Sequence, residues 1–282
     1  MLKIGRRSFL GLVAASAGVS YARSLSTVGV QLYTVRTIIG ADPLGVLRSI
    51  EQIGYKEVEL STTDLDRVSA ALKQTSLKPV SLHLDAALFT SRTDGIPAAI
   101  DDAAKRGLQW VVCPFGAPTD AGHLEVVRKL GDALNKAGET ARRAGLRLAY
   151  HNHAFDFTPA GGGTLLDALL ATADPKLVSL ELDIMWAKVA GVDPVSVLKK
   201  YGSRVAMLHL KNLPEGAAQR YDQNVPRTAF REVGNGVIDI PAVLAAAAQT
   251  GVQHYFVEQD QTPGNPLVSL RESYDYLHRL NF

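Results

Sequence analysis

Short apolar segments alternate with amphipathic ones along almost the whole chain after residue 25. Eight of the apolar segments are typical of buried strands: VGVQLY (28–33), EVEL (57–60), KPVSLHL (78–84), WVVCP (110–114), RLAYHN (147–152), VSLELD (178–183), VAMLHLK (205–211) and HYFVEQ (254–259). Near-continuous apolar strands that alternate with helices indicate a parallel sheet covered by helices. Eight such units in about 255 residues predict a single (β/α)8 TIM barrel.

The segments between the strands carry helix signals. Examples are DPLGVLRSIEQIG (42–54), HLEVVRKLGDALNKAGETARRAG (123–145) and DPVSVLKKYG (193–202). An early Asp suits an N-cap and a terminal Gly suits a C-cap. The rival fold is a doubly wound open sheet, which usually needs a glycine-rich nucleotide-binding turn after its first strand. Here TVRTIIGADP follows that strand and contains no such motif.

Two connections between the predicted elements stand out. The glycines of residues 161–163 precede a helix, and we interpret them as a turn, with a phosphate cradle as the alternative. The longest connection, residues 212–239, follows the seventh strand. Loops of that length in a compact domain are usually functional or disordered.

Composition narrows the class of protein. The 282 residues are 46% hydrophobic and 21% charged, which is ordinary for a globular chain. The formal charge is +2 and the basic residues form no stripe, so we expect no nucleic-acid partner. Cys113 is the only cysteine, which excludes an internal disulfide. It lies in an apolar run and is expected in the core, with a catalytic thiol as the alternative.

The first 22 residues have the pattern of an export signal, and we expect them to lie outside the fold. A basic start leads to Arg6–Arg7 in RRSFLG and then to a weakly apolar stretch over residues 9–19, with small residues at Ser20 and Ala22. This pattern is similar to twin-arginine signals. The apolar stretch is shorter than the roughly 20 residues that span a bilayer, so no stable membrane insertion is expected after cleavage. We expect residues 23–282 to form the barrel in the periplasm; the alternative is a cytosolic protein with a chance arginine pair.

Polar residues cluster at the carboxyl ends of the predicted strands, where barrel enzymes carry their chemistry. These residues are Gln31, Tyr33, Glu57, Glu59, His83, Asp85, His151, His153, Glu181, Asp183, His209, Lys211, Glu258 and Asp260. Any one of them is typical of a capping or solvated residue at a strand exit. Strands five to eight, however, each deliver a His or a carboxylate to the same rim, which indicates a shared site.

The donors on strands five to eight predict a site for one divalent metal ion. The ligands that we expect are His151, Asp183, His209 and Glu258. Neighbouring strands lie about 4.8 Å apart, so these side chains can converge on one ion with metal–ligand distances near 2.1 Å. Nitrogen and carboxylate donors suit Mn²⁺, Mg²⁺, Co²⁺, Zn²⁺ or Fe²⁺, and the sequence does not choose among them. Lys211 is expected near the ion as an acid/base or carbonyl-polarising group, with a surface salt bridge as the alternative. Glu181 lies one step deeper, either behind the ligands or in the packed interior.

His151 and His153 share one face of a strand because they are two residues apart. We expect His151 to bind the metal and His153, roughly 6–7 Å further along the strand, to face the substrate. An imidazole there can donate to a substrate oxygen or move a proton near neutral pH. The alternative is that His153 only caps the following loop. The expected catalytic residues are Glu258, Lys211 and His153, and the expected substrate contacts are Gln31, Tyr33, Glu59, His83 and Trp186.

Six stretches of the mature chain resemble the xylose-isomerase-like barrels. They are VGVQLYTVR, AYHNHAFDF, ELDIMWAKVAGVDP, MLHLKN, EVGNGVIDI and FVEQDQTPGNPLVSLRESYDYL. That superfamily includes sugar isomerases and epimerases, 2-keto-myo-inositol dehydratase and endonuclease IV. The resemblance implies one divalent metal held by Glu, Asp, His and Glu from strands five to eight. Asp183, His209 and Glu258 match the last three of these directly.

The chain departs from the family pattern at two positions. His151 stands where many members have Glu, which removes a carboxylate that often serves as one of two bases and puts two-glutamate epimerisation in doubt. The YHNH form looks like the subgroup acting on inosose or keto-sugars. Trp186 stands where several epimerases have His, and it is either a sugar-stacking face or a core residue. The endonuclease IV branch is set aside because it uses three metals and a basic DNA face.

These features predict a metal-dependent sugar isomerase or epimerase that moves a proton beside a metal-bound carbonyl. Phosphorylated sugars are scarce outside the cytoplasm, so a non-phosphorylated sugar or keto-sugar is expected as the substrate. One alternative is a keto-sugar lyase or dehydratase using the same site, acting on a 3-keto-glycoside or an inosose. Another is a periplasmic sugar-binding barrel without catalysis. The sequence leaves the oligomeric state open, with a homo-oligomer as one option.

Overall fold

Eight parallel strands close into a barrel in the computed structural model, which describes residues 23–115 and 124–282. The barrel strands are β1 (Gly29–Gln31), β2 (Glu57–Leu60), β3 (Lys78–His83), β4 (Trp110–Cys113), β5 (Arg147–His151), β6 (Val178–Asp183), β7 (Val205–Leu210) and β8 (His254–Val257). Each strand pairs with its neighbours in chain order, and β8 closes the ring against β1. The predicted single (β/α)8 barrel is confirmed. The predicted signal segment, residues 1–22, lies outside the described residues.

A helix follows each barrel strand. These helices are α1 (Pro43–Ile53), α2 (Leu65–Leu72), α3 (Ile96–Lys105), α4 (Leu124–Arg143), α5 (Leu165–Thr172), α6 (Pro194–Tyr201), α7 (Ile240–Ala247) and α8 (Pro266–Arg279). Two shorter helices, Arg36–Ile39 and Ile184–Val189, precede α1 and α6. The side chains of Asp42 and Asp193 cap α1 and α6, as their positions before a proline predict. Within the described residues, no helix is long and apolar enough to cross a membrane.

Several strand exits turn earlier than the apolar runs suggest. β1 ends at Gln31 because its side-chain oxygen accepts the N–H of Tyr33 at 2.8 Å, and a 3-10 turn (Leu32–Val35) follows. β5 ends at His151, and a second 3-10 turn (Ala154–Phe157) follows His153. The glycine cluster forms the tight turn of a small hairpin between Pro159–Ala160 and Gly163–Thr164, which confirms its interpretation as a turn.

Two clusters of buried apolar side chains lie on opposite faces of the sheet. The larger fills the space between the strands and the helices and includes Val111 and Cys113, which confirms the core position of the cysteine. The smaller comprises Val80, Trp110, Val112, Ala149, Ala206, Met207 and Phe256. Along β4 the two clusters alternate residue by residue, so the smaller one fills the inside of the barrel. We call it the apolar layer.

The pairing register shifts at two places in the barrel. One shift lies between Val58 and Glu59, where β2 pairs with β3. The other lies between Leu180 and Glu181, where β6 pairs with β7. Such irregularities locally re-aim a strand's side chains. Both shifts lie directly before a buried glutamate.

Candidate metal centre

Above the apolar layer, the inside of the barrel is filled with charged side chains. This charged layer comprises Glu59, His83, His151, Glu181, Asp183, His209, Lys211 and Glu258. All are buried except His83, whose side chain is 14% exposed. On β7, His209 follows Met207 of the apolar layer by two residues, so both side chains point into the barrel. The same spacing relates His151 to Ala149 on β5.

Two overlapping groups of potential metal donors occur in the charged layer, among the residues that the structure describes. The upper set comprises His151, Asp183, His209 and Glu258, and the lower set comprises His83, His151, Glu181 and His209. In each set, one nitrogen or oxygen per residue lies within 4.8 Å of all the others. Because Glu181 precedes Asp183 by two residues on β6, the lower set lies one strand step closer to the apolar layer. The upper set brings together the four residues that the sequence predicts as ligands.

The upper set fits a divalent cation. Asp183 Oδ1 accepts the N–H of Trp186 at 2.9 Å, which fixes the carboxylate at the start of the Ile184–Val189 helix. Its other oxygen, Oδ2, is buried and pairs with the Lys211 ammonium at 2.9 Å, with no other hydrogen-bond donor among the described residues. Burial raises the pKa of Asp183 to about 6 despite that lysine. A buried anionic oxygen beside two imidazoles and a second carboxylate is an environment that a divalent cation would stabilise.

Each histidine of the upper set has a carboxylate behind it. His151 Nδ1 lies 3.1 Å from Glu181 Oε2, and His209 Nε2 lies 2.6 Å from Glu59 Oε1. Such contacts fix the tautomer and the ring orientation of a metal-binding histidine. Gln31 and Ser81 also donate to Glu59, which is fully buried. Glu59 was predicted as a substrate contact, but its position below the ligands favours a role in holding His209.

The four histidines of the site have divergent pKa values. Burial opposes protonation of His83, but Glu59 and Glu181 outweigh it and raise its pKa to about 10. Burial likewise opposes protonation of His209, yet its neighbouring carboxylates hold its pKa well above the ordinary value. Burial lowers the pKa of His151, and burial with the nearby Lys211 lowers that of His153 to about 3. His151 and His153 are therefore neutral imidazoles near pH 7.

Lys211 lies among carboxylates. Its ammonium is 2.9 Å from Asp183, 2.5 Å from Glu258 and 2.7 Å from Asp260. Burial alone would lower the pKa of this lysine, but the carboxylates hold it well above the ordinary value. Lys211 therefore keeps its proton, which suits a donor or a fixed positive charge better than a base. Asp260 was predicted at the same strand end as Glu258 but without an assigned role.

A cavity of about 480 Å³ opens above the charged layer at the carboxyl ends of the strands. Its lining includes seven of the predicted site residues: Gln31, Tyr33, His83, His151, His153, Trp186 and Glu258. As the described residues form it, the lining does not include the other predicted site residues, Glu59, Asp183, His209 and Lys211. The long connection after β7 contributes Gln223, Val225, Arg227 and Phe230, so this loop forms one wall of the cavity.

His153 and Trp186 form an aromatic wall of this cavity. The His153 ring lies parallel to that of Phe155, 5.6 Å away between centroids, and 5.2 Å from the ring of Trp186. The His153 Nδ1 and Trp186 Nε1 atoms are both buried and have no hydrogen bond to any residue that the structure describes. The backbone N–H of His153 donates to Asp156 at 2.7 Å. The backbone of His153 is thus fixed, while its Nδ1 has no hydrogen bond within residues 23–115 and 124–282.

The chain belongs to the xylose isomerase-like TIM barrel family. The sequence model of that family matches residues 47–280. An inosose dehydratase of Bacillus cereus (strain AH820) is 32% identical over 148 residues, which is 49% of each chain. The chain thus matches about half the length of such curated relatives. An inosose dehydratase of Geobacillus kaustophilus (strain HTA426) is 25% identical over 273 residues, covering 83% of this chain and 86% of the relative.

Solved structures share the whole barrel. A sugar phosphate isomerase/epimerase from Parabacteroides distasonis ATCC 8503 superposes with a TM-score of 0.76 at 22% identity, covering 94% of this chain and 98% of that one. The IolI protein, solved with a bound zinc atom, gives a TM-score of 0.67 at 16% identity, covering 89% and 95%. At these identities the likeness establishes the fold.

Proposed function

We propose that this protein is a divalent-metal-dependent enzyme of the sugar isomerase or epimerase type, acting on a non-phosphorylated sugar or keto-sugar. The observation that carries the proposal is a group of four metal-type donors beside one cavity, together with two buried ring nitrogens that have no hydrogen bond among the described residues. The donors are His151, Asp183, His209 and Glu258, of which His151 and Glu258 line the cavity. The two nitrogens are His153 Nδ1 and Trp186 Nε1. Two imidazoles and two carboxylates suit a divalent cation, and the two ring nitrogens suit a polar ligand because buried polar groups normally have partners.

The proposed metal ligands are His151, Asp183, His209 and Glu258. A divalent cation bound there would polarise a sugar carbonyl and acidify the neighbouring C–H and hydroxyl groups. Glu59 and Glu181 hold the two imidazoles in the ligand tautomer. Lys211 supplies a fixed positive charge and a donor next to Glu258.

His153 and Trp186 would orient the sugar. The neutral His153 ring can donate to or accept from a sugar oxygen at Nδ1, and the Trp186 indole can donate at Nε1 while its face packs on C–H groups. Proton transfer at the carbon beside the carbonyl is assigned to Glu258 or His153, which both line the cavity.

A keto-sugar lyase or dehydratase is the second candidate, since the curated relatives described above are named inosose dehydratases. Both reactions begin with loss of the proton beside a carbonyl. They differ in whether that proton returns to the sugar or a β-substituent leaves. In the second case His153 would first take the proton from the carbon and then pass it to the leaving oxygen.

The test is hydrogen exchange in D₂O, followed by NMR over a panel of keto-sugars and inososes. The metal-loaded protein should exchange the hydrogen beside the carbonyl, and the chelator-treated protein should not. Conversion to an isomer or an epimer supports the first candidate, and loss of water or of an aglycone supports the second. A panel that binds without any exchange would contradict both and favour a binding protein.

We also propose that residues 1–22 direct twin-arginine export to the periplasm, supported by RRSFLG and the small residues before position 23. Replacing Arg6 and Arg7 together with lysine should leave uncleaved precursor in the cytoplasm, measured by fractionation and immunoblotting. Normal periplasmic accumulation of that variant would contradict the proposal.

A further inference from the structure

His151 and His209 belong to both donor sets. In each ring, one nitrogen faces the upper set and the other faces the lower set. His209 Nδ1 lies 2.8 Å from Glu258 of the upper set, and its Nε2 lies 3.3 Å from Glu181 of the lower set. His151 Nδ1 lies 3.1 Å from Glu181, and its Nε2 lies 3.9 Å from Asp183. A neutral imidazole has one N–H and one lone pair, so each ring can bind an ion on one side only.

The remaining members of the lower set are also placed for an ion. Glu181 Oε1 is fully buried and accepts no hydrogen bond among the described residues. His83 Nε2 lies 2.8 Å from the other oxygen of Glu181, and the His83 ring lines the cavity. An ion can therefore reach the lower set from the cavity past His83.

We propose that the lower set, comprising His83, His151, Glu181 and His209, is a second and mutually exclusive position for the metal ion. With the ion in the upper set, His151 and His209 donate their remaining N–H groups to Glu181 and Glu59. With the ion in the lower set, the tautomers reverse and His209 donates to Glu258. His209 thus has a carboxylate acceptor in either state, whereas His151 Nε2 lies 3.9 Å from Asp183 and must shift toward it, and the ion moves by one strand step.

The two positions differ in their preferred metals. The lower set offers three imidazole nitrogens and one carboxylate, whereas the upper set offers two of each. Nitrogen-rich sites favour Zn²⁺, Ni²⁺ and Cu²⁺, and oxygen-rich sites suit Mn²⁺ and Mg²⁺. The lower position therefore favours Zn²⁺, while Mn²⁺ occupies the upper position. This inference concerns where ions bind and does not depend on the proposed reaction.

The test uses Zn²⁺ alone and the metal-stripped Asp183→Asn variant, in which the upper set has lost an anionic ligand and the lower set is intact. This variant should still bind one Zn²⁺ per chain within about tenfold of the wild-type affinity, measured by competition with a chromophoric chelator. Its Mn²⁺ affinity should fall by at least about 100-fold, as expected for a lost ligand. Adding His83→Gln should then weaken Zn²⁺ binding by at least about 100-fold.

The matched control is His254→Gln in the same Asp183→Asn background. His254 pairs with Glu57 at 2.8 Å at the other end of the barrel, so this change removes a similar histidine–carboxylate contact outside both sets. It should leave Zn²⁺ affinity unchanged. Loss of Zn²⁺ binding in Asp183→Asn alone, or equal effects of His83→Gln and His254→Gln, would overturn the proposal.

If the double variant does not fold, the visible absorption spectrum of Co²⁺ bound to the Asp183→Asn variant is measured instead. A visible spectrum typical of four-coordinate Co²⁺ with three nitrogens supports the lower position, and a spectrum of weakly bound octahedral Co²⁺ contradicts it. Neither readout involves turnover, so failure here leaves the hydrogen-exchange test of the proposed function intact.

Discussion

The apolar layer and the charged layer occupy the same barrel interior, two residues apart along the strands. The apolar layer is filled by apolar side chains that pack on one another, such as Trp110, Met207 and Phe256. The second contains a lysine, three histidines and several carboxylates, and it is equally well buried. Of five buried side-chain polar atoms without a hydrogen bond in the described residues, four lie in the charged layer or in the cavity wall above it. The difference indicates that the lower half of the interior serves stability and the upper half serves binding.

The largest expected effect is that of Asp183→Asn on turnover with Mn²⁺. The substitution keeps the oxygen that caps the following helix but removes the anionic ligand, so activity should fall by about 10³-fold or more. The unfolding temperature should change little, because the helix cap is kept and Lys211 retains Glu258 and Asp260 as partners. Turnover and thermal melting measured side by side check this. Collapse of the fold would mean that the charged layer serves stability after all.

His153→Ala should reduce turnover by about 10²–10⁴-fold, the range typical of general acid–base groups. The variant should retain its metal, since His153 belongs to neither donor set. Metal content by atomic spectroscopy and kcat with a saturating substrate are the two readouts. His254→Ala, at the other end of the barrel, is the control and should leave both unchanged. Loss of metal in His153→Ala would contradict the assignment of His153 to the substrate and not to the metal.

Trp110→Ala tests the apolar layer. Removing this fully buried ring should lower the free energy of unfolding by about 3–5 kcal/mol, because a cavity remains where contacts were lost. Metal stoichiometry should be unchanged at a temperature where the variant is folded. Denaturant unfolding and metal analysis check the two halves of the statement. Loss of metal from a folded variant would contradict the division of the interior into two layers.

The smallest effect concerns a carboxylate outside the barrel interior. Asp167 accepts from Thr164 and contacts Lys200 and Tyr201, and these partners outweigh partial burial and lower its pKa to about 2. Because the folded pKa lies below the ordinary 3.8, its contribution to stability is present above pH 3.8 and is lost as the pH falls toward 2. Asp167→Asn should remove about 1–2 kcal/mol of that acid dependence. Unfolding at a series of acid pH values measures it, and an unchanged slope would contradict the assignment.

The sequence predicted the barrel well because strands buried on both faces appear as apolar runs. All eight runs contain a strand, and β2 and β6 match at both ends. The errors lie at the strand exits. There a side chain, such as that of Gln31, competes with the sheet for the next backbone N–H, and hydrophobicity does not reveal this competition.

The part of the candidate site that was predictable is the part formed by residues on neighbouring strands. Residues at the ends of neighbouring strands must converge, and the upper set does so. Contacts across the barrel were not predictable, because they join strands that are distant in the ring. Glu59 on β2 reaching His209 on β7 is one example, and His83 on β3 reaching Glu181 on β6 is another.

The register shifts before Glu59 and Glu181 bear on how this barrel can change. Each lies in the middle of a strand and directly before a carboxylate that supports a histidine. A laboratory that grafted these eight histidine, lysine and acidic side chains onto a regular, idealised barrel would aim both glutamates wrongly. The loops above can vary freely in length and sequence, and with them the choice of substrate. A redesign must therefore keep the register shifts of β2 and β6.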